Sequence, residues 1–185
     1  VRGADASMSV SFLSPSRCAD GTTTSPLRRA LEGADESAVR DLSLEGIVEI
    51  RGNAEAIVAE AGEDVLRLSP RRAFLFTPGD GAAAAERLRA AGVLAYDMTG
   101  AYAGIAIADE RVLRRLTDLD LDSIPTAGPF AKVSALFRRG PGGWIHVYVH
   151  QELGHYVAEA VLDAVAGIDG AASDASAPVS DTSQR

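Results

Sequence analysis

The chain has 185 residues and a mass of 19.3 kDa, enough for one domain or two small lobes around a shared core. Apolar residues make up 46% and charged residues 24%, the balance of a globular protein and not of a disordered or fibrous one. A net charge of −8 and a pI of about 4.9 argue against a broad surface for nucleic acid or anionic lipid, which needs clustered positive charge.

Cysteine and hydropathy narrow the class further. Cys18 stands alone, which excludes an internal disulfide framework and a cysteine-rich zinc site. No run approaches the ~20 apolar residues of a membrane helix. The N-terminal patch of Met8, Val10, Phe12 and Leu13 is broken by serines and is too short for a secretory signal, so the expected location is cytoplasmic.

The ends, 1–24 and 168–185, are rich in Ser, Thr, Gly and Ala with little to bury, and disorder is expected in both. Between them lies a domain over 25–167, divided into lobes of about 25–97 and 98–167. Leu44, Val48 and Ile50 alternate with polar residues as in a strand. Asn53 is placed to cap a short helix with Ile57, Val58 and Ala61 on one face, closed by Gly62. Strands are expected over Val65–Leu68 and Ala73–Phe76, turned at Ser69-Pro70. A helix over Ala82–Ala91 follows Pro78-Gly79-Asp80 and stops at Gly92.

Val93–Tyr96 bridges to a second half of the same order. Ala101–Ile107 is a strand, and Asp109 caps a helix with Val112, Leu113 and Leu116 inside. Leu119–Pro125 is a loop. Ala131, Val133, Ala135 and Phe137 alternate on one strand, and Pro141-Gly142-Gly143 turns it into another carrying Ile145, Val147 and Val149. In the last helix Leu153, Tyr156, Val157, Ala160, Val161, Ala164 and Val165 form one stripe, ended by Gly167. Together these elements predict an α+β fold of pseudo-duplicated split β-α-β units, with two antiparallel sheets backed by helices.

Self-contained chemistry finds little support. His150 and His155 resemble a zincin pair but stand one residue too far apart. A separation of four positions leaves about 40° between side chains on a helix, whereas five leaves about 140°. His146, Tyr148 and His150 share the outward face of the last strand, expected to be solvated or partner-facing. There is no nucleophile elbow, and Cys18 has no nearby base. The Asp118–Asp122 run lacks the Gly and Glu of a calcium loop, and Pro78–Gly81 lacks the lysine of a phosphate loop. Four arginine doublets, at 28–29, 71–72, 114–115 and 138–139, offer anchors for a partner's carboxylates. No catalytic, cofactor-binding or metal-binding residue is assigned. Trp144, Tyr148, Arg138 and Arg139 are the candidates for a partner interface, being residue types enriched where proteins meet.

Several short segments occur in a shared order. Ser25-Pro26-Leu27 opens the region, and a strand ends in Ile50-Arg51-Gly52. Leu66, Leu68 and Pro70 form a Leu-x-Leu-x-Pro before the Ala73–Pro78 strand. Asp97-Met98-Thr99 and Leu119-Asp120-Leu121 follow, then two strands around Arg139-Gly140 and an amphipathic final helix. In this order the chain resembles the gamma-subunit family of heterotetrameric sarcosine oxidase, within the wider glycine-cleavage T-protein-like, folate-associated folds. The family's cysteine before Leu119-Asp120-Leu121 is absent. So are the tyrosine and both glutamates of the folate-handling relatives, where this chain reads Phe137-Arg138-Arg139-Gly140 and Gly143-Trp144-Ile145-His146.

The resemblance implies a non-catalytic structural subunit of an amine-oxidising flavoenzyme that passes a one-carbon unit to tetrahydrofolate. Flavin, NAD and tetrahydrofolate would sit on partner subunits, namely larger flavin-bearing alpha- and beta-type chains beside a small delta-type chain. The alternative is a stand-alone T-protein-like protein binding folate or another small molecule, or an aminomethyltransferase, with Asp97 the one placed carboxylate.

Overall fold

The computed structural model describes residues 24–52 and 64–175. Its strands are β1 (Val39–Asp41), β2 (Gly46–Arg51), β3 (Asp64–Ser69), β4 (Arg72–Thr77), β5 (Leu94–Asp97), β6 (Tyr102–Ile107), β7 (Thr126–Phe130), β8 (Val133–Arg139) and β9 (Ile145–His150). Among the described residues three α-helices accompany them: α1 (Gly81–Ala90), α2 (Glu110–Leu116) and α3 (Gly154–Ala175). A four-stranded sheet runs in the order β3-β4-β2-β5 and a five-stranded sheet in the order β1-β6-β9-β8-β7, with every pairing antiparallel. The fold is α+β, with two antiparallel sheets and helices on their outer faces.

Local signals account for most of these elements. The Asp80 carboxylate accepts from the Ala82 amide at 2.9 Å to start α1, and Asp109 accepts from Arg111 at 2.8 Å to start α2. Gly92, at φ 84°, ends the turn after α1. Alternation then sorts each strand into two faces. Val48, Ile50, Leu75 and Ala95 pack against Ala84 and Ala85 of α1. Ile105, Ile107, Phe137, Ile145, Val147 and Val149 of the five-stranded sheet pack against α2 and α3. The opposite faces of the two sheets meet through Ile47, Leu66, Phe74, Phe76, Tyr102, Leu136 and Tyr148. The molecule is therefore layered helix, sheet, sheet, helix, and the inner seam is covered on both sides.

The structure revises several expectations. Val93–Tyr96 is not a bridge, because β5 pairs with β2 at the edge of the four-stranded sheet. β1 pairs with β6, so a segment from the first half completes the sheet of the second. Ala131 is not in a strand. With Lys132 it forms a two-residue hairpin turn, φ 47° and 69°, between β7 and β8. Helix α3 passes Gly167 and continues to Ala175. Ile168 is buried in the core there, and an Arg115 Nη2 donates to the Gly167 carbonyl at 3.4 Å. Tertiary contact outweighs the helix-ending tendency of glycine. Tyr156 lies outside the buried stripe and is exposed, its hydroxyl donating to the Ala131 carbonyl at 2.9 Å. The expected helix at Asn53–Gly62, residues 1–23 of the N-terminal tail and residues 176–185 lie outside the described residues.

Candidate functional site

The polar side chains that the fold gathers lie in the seam between the sheets, in two groups. In β8 and β9 the pairings Leu136↔Tyr148 and Arg138↔His146 point these four side chains at the four-stranded sheet. Gly104 stands opposite Tyr148 on β6, where a Cβ would come within 2.8 Å of the tyrosine ring. A side chain at that position would push the ring out of the seam.

The first group is closed. Tyr148 is fully buried, and its hydroxyl donates to one oxygen of Glu45 while accepting from Arg138 Nε at 3.1 Å. An Arg138 Nη2 donates to the other Glu45 oxygen. His146 is also buried, with Nδ1 at 3.4 Å from the Tyr148 oxygen and 3.9 Å from the Glu45 carboxylate. Phe76 stacks on Tyr148 at 4.7 Å and lies 5.2 Å beneath the Arg138 guanidinium. Burial, then the Glu45 charge and hydrogen bond, push the Tyr148 phenol far above its ordinary range against the opposing pull of Arg138. A neutral tyrosine locked to a carboxylate and an arginine is a strut between the sheets.

The second group surrounds Glu49, which is buried on β2. Its Oε1 accepts from Arg51 Nε at 2.8 Å and from Arg72 Nε at 2.7 Å. Burial raises the Glu49 carboxyl pKa, but the hydrogen bonds and charges of the two arginines together outweigh it and hold the group below its ordinary value. The Arg72 guanidinium lies 5.4 Å over Phe74, which meets Tyr102 edge-on at 5.5 Å, and Tyr102 stacks on His150 at 5.0 Å. These residues open onto a cleft of about 340 Å³.

The interface candidates from the sequence separate. Tyr148 and Arg138 do not face out, because the outer face expected for β9 is covered by the four-stranded sheet. Arg139 is exposed at the end of β8; its Nη2 donates to the Leu121 carbonyl at 2.9 Å, and it lies near Glu110 and Asp122. Trp144 is half-buried beneath the Arg40 guanidinium at 4.1 Å. The three histidines scatter: His146 inside the seam, His150 at the mouth of the cleft and His155 exposed on α3. Among the described residues no three or more His, Cys, Asp or Glu gather in a group that could hold a metal ion. No helix among them is long and apolar enough to cross a membrane. Sequence reasoning missed Glu45 and Glu49. Glu49 carried one usable signal, a carboxylate at an otherwise apolar strand centre.

Of the segments compared in the sequence with a folate-handling motif, Phe137 is core and Arg138 is bonded to Glu45 and Tyr148.

No protein-family model matches the chain, and no curated protein matches it by sequence. Its fold is similar to that of a chain in heterotetrameric sarcosine oxidase from Corynebacterium sp. U-96, solved in complex with pyrrole 2-carboxylate. The TM-score is 0.67 at 15% identity, and the match covers 78% of this chain and 95% of that one. At that identity the likeness is one of fold.

Proposed function

We infer that this chain is a non-catalytic, gamma-type subunit of a sarcosine oxidase-like, amine-oxidising flavoenzyme of the cytoplasm, with residues 25–167 as the docking unit. The observation that carries the reading is the extent of the structural match. It takes in 95% of the neighbour's chain, so the likeness spans that subunit from end to end. The ordered segments from Ser25 to Gly167 point the same way. So does the group in the seam, where Glu45, Arg138 and Tyr148 bond one another.

Under this reading the electrons are carried by flavin and NAD on larger alpha- and beta-type subunits, since amine oxidation needs a cofactor to accept them. Tetrahydrofolate would receive the one-carbon unit there too, with a small delta-type subunit completing the assembly. Arg139 and Trp144 remain the docking candidates at the surface.

Co-expression with the larger flavin-bearing subunits tests the assignment. The chain is expected to co-purify with them in fixed stoichiometry, and alone to show no flavin absorbance and no micromolar calorimetric binding of a reduced folate. Folate binding at that strength by the isolated chain, without any large partner, overturns the assignment.

A further inference from the structure

The cleft beside Tyr102 has features that the subunit reading does not use. Its volume of about 340 Å³ lies at the small end of ligand pockets. Apolar side chains of Leu68 and Leu136 line it together with Arg72, Phe74, Tyr102 and His150.

Tyr102 is 6% exposed, yet its hydroxyl has no hydrogen-bond partner among the described residues. Every fully enclosed polar side-chain atom among those residues is partnered, so the Tyr102 oxygen keeps contact with open space through the cleft that it lines. Buried hydroxyls are nearly always bonded, and one that is not waits for a partner. Burial foremost raises the Tyr102 pKa, with Glu49 and Glu152 adding to it and Arg72 opposing, so at neutral pH the phenol is a donor.

Charge selects what it would donate to. Arg51 and Arg72 share the single carboxylate of Glu49, which leaves one positive charge unbalanced within that group. Arg72 is also the member that reaches the cleft, half-exposed. We propose that this cleft binds a small monocarboxylate with an apolar body, its carboxylate taken by the Arg72 guanidinium and the Tyr102 hydroxyl and its body laid against Leu68 and Leu136. The site concerns this chain alone and is independent of whether it docks onto larger subunits.

The test is a titration of the full chain with benzoate, followed by amide chemical shifts. Saturable shifts are expected at Tyr102, Gly128 and His150, with benzamide at equal concentration leaving them in place. Tyr102→Phe, which removes no internal hydrogen bond, is expected to melt like the wild type yet bind benzoate about fivefold more weakly. Arg72→Gln is expected to weaken binding at least tenfold. Any one of three results overturns the proposal: no saturable shift at these residues up to millimolar benzoate, equal response to benzamide, or wild-type affinity in Tyr102→Phe.

Discussion

The two ends of the inter-sheet seam are built from the same five residue types and finish differently. At one end Arg138 lies over Phe76, Phe76 packs on Tyr148, Tyr148 neighbours His146, and Glu45 supplies the carboxylate. At the other the set is Arg72, Phe74, Tyr102, His150 and Glu49. Glu45 approaches from the turn before β2 and bonds both the arginine and the tyrosine. Glu49 sits within β2, bonds Arg51 and Arg72, and leaves the tyrosine without a bond. The position of one carboxylate thus decides whether the tyrosine hydroxyl is bonded into a strut or left facing a recess. Residue inventory alone would not distinguish them.

The sharpest way to break this comparison is at the sealed end. Glu45→Ala removes the carboxylate that Arg138 and Tyr148 both bond, and a loss of about 3–5 kcal/mol is expected in denaturant unfolding. A loss under about 1 kcal/mol would show that the group is not what holds the sheets together there.

Removing one oxygen from each end comes next. Tyr148→Phe removes one hydrogen bond to Glu45 and one from Arg138 Nε and is expected to cost about 1–3 kcal/mol. Tyr102→Phe strands nothing and should stay within about 0.5 kcal/mol of wild type. Equal losses in the two variants would erase the distinction between strut and recess.

Titration sharpens the same contrast. The Tyr148 phenol is raised in the folded state above its ordinary value of 10.0. Unfolded chains therefore lose that proton first, and the stability present below that value falls as pH rises beyond it. Tyr102 shifts the same way, less strongly. The alkaline limb of thermal stability should flatten in Tyr148→Phe, and an unchanged limb would contradict the burial.

The smallest effect is expected on the acid side of the open end. Glu49 is held below its ordinary value of 4.5, so its contribution is present above that value and is lost as pH falls through the lowered one. Because Arg51 and Arg72 are about half-exposed, the contribution is modest. Glu49→Gln should trim the acid limb slightly. A large change there would move Glu49 into the class of Glu45.

Legibility in the sequence followed the range of each signal. β9 and α2 were readable because period 2 in a strand and period 3.6 in a helix are written within a few residues, and β4 because a short apolar run follows the Ser69-Pro70 turn. β7 was hidden by Gly128 and Pro129, which read as loop, and is tolerated because it is the sheet's edge. Its turn was hidden too, since Ala131 and Lys132 both take positive φ without the usual glycine or asparagine. β1 spans only Val39–Asp41 and exists because β6, far along the chain, receives it.

The α+β class, the antiparallel sheets and the helices behind them were determined by the sequence, since alternation and caps act locally. The inner seam was not. Ile145, Val147 and Val149 mark one face of β9 as buried, and the pattern then assigns His146 and Tyr148 to the outside. Only tertiary structure reverses that: a central strand of a sheet packed between helices and a second sheet is covered on both faces, and the second cover is built from β2, β3 and β4, distant in the chain. Polar residues on that face could be buried because Glu45 arrives to bond Arg138 and Tyr148, pairings across 93 and 103 residues that no local pattern encodes.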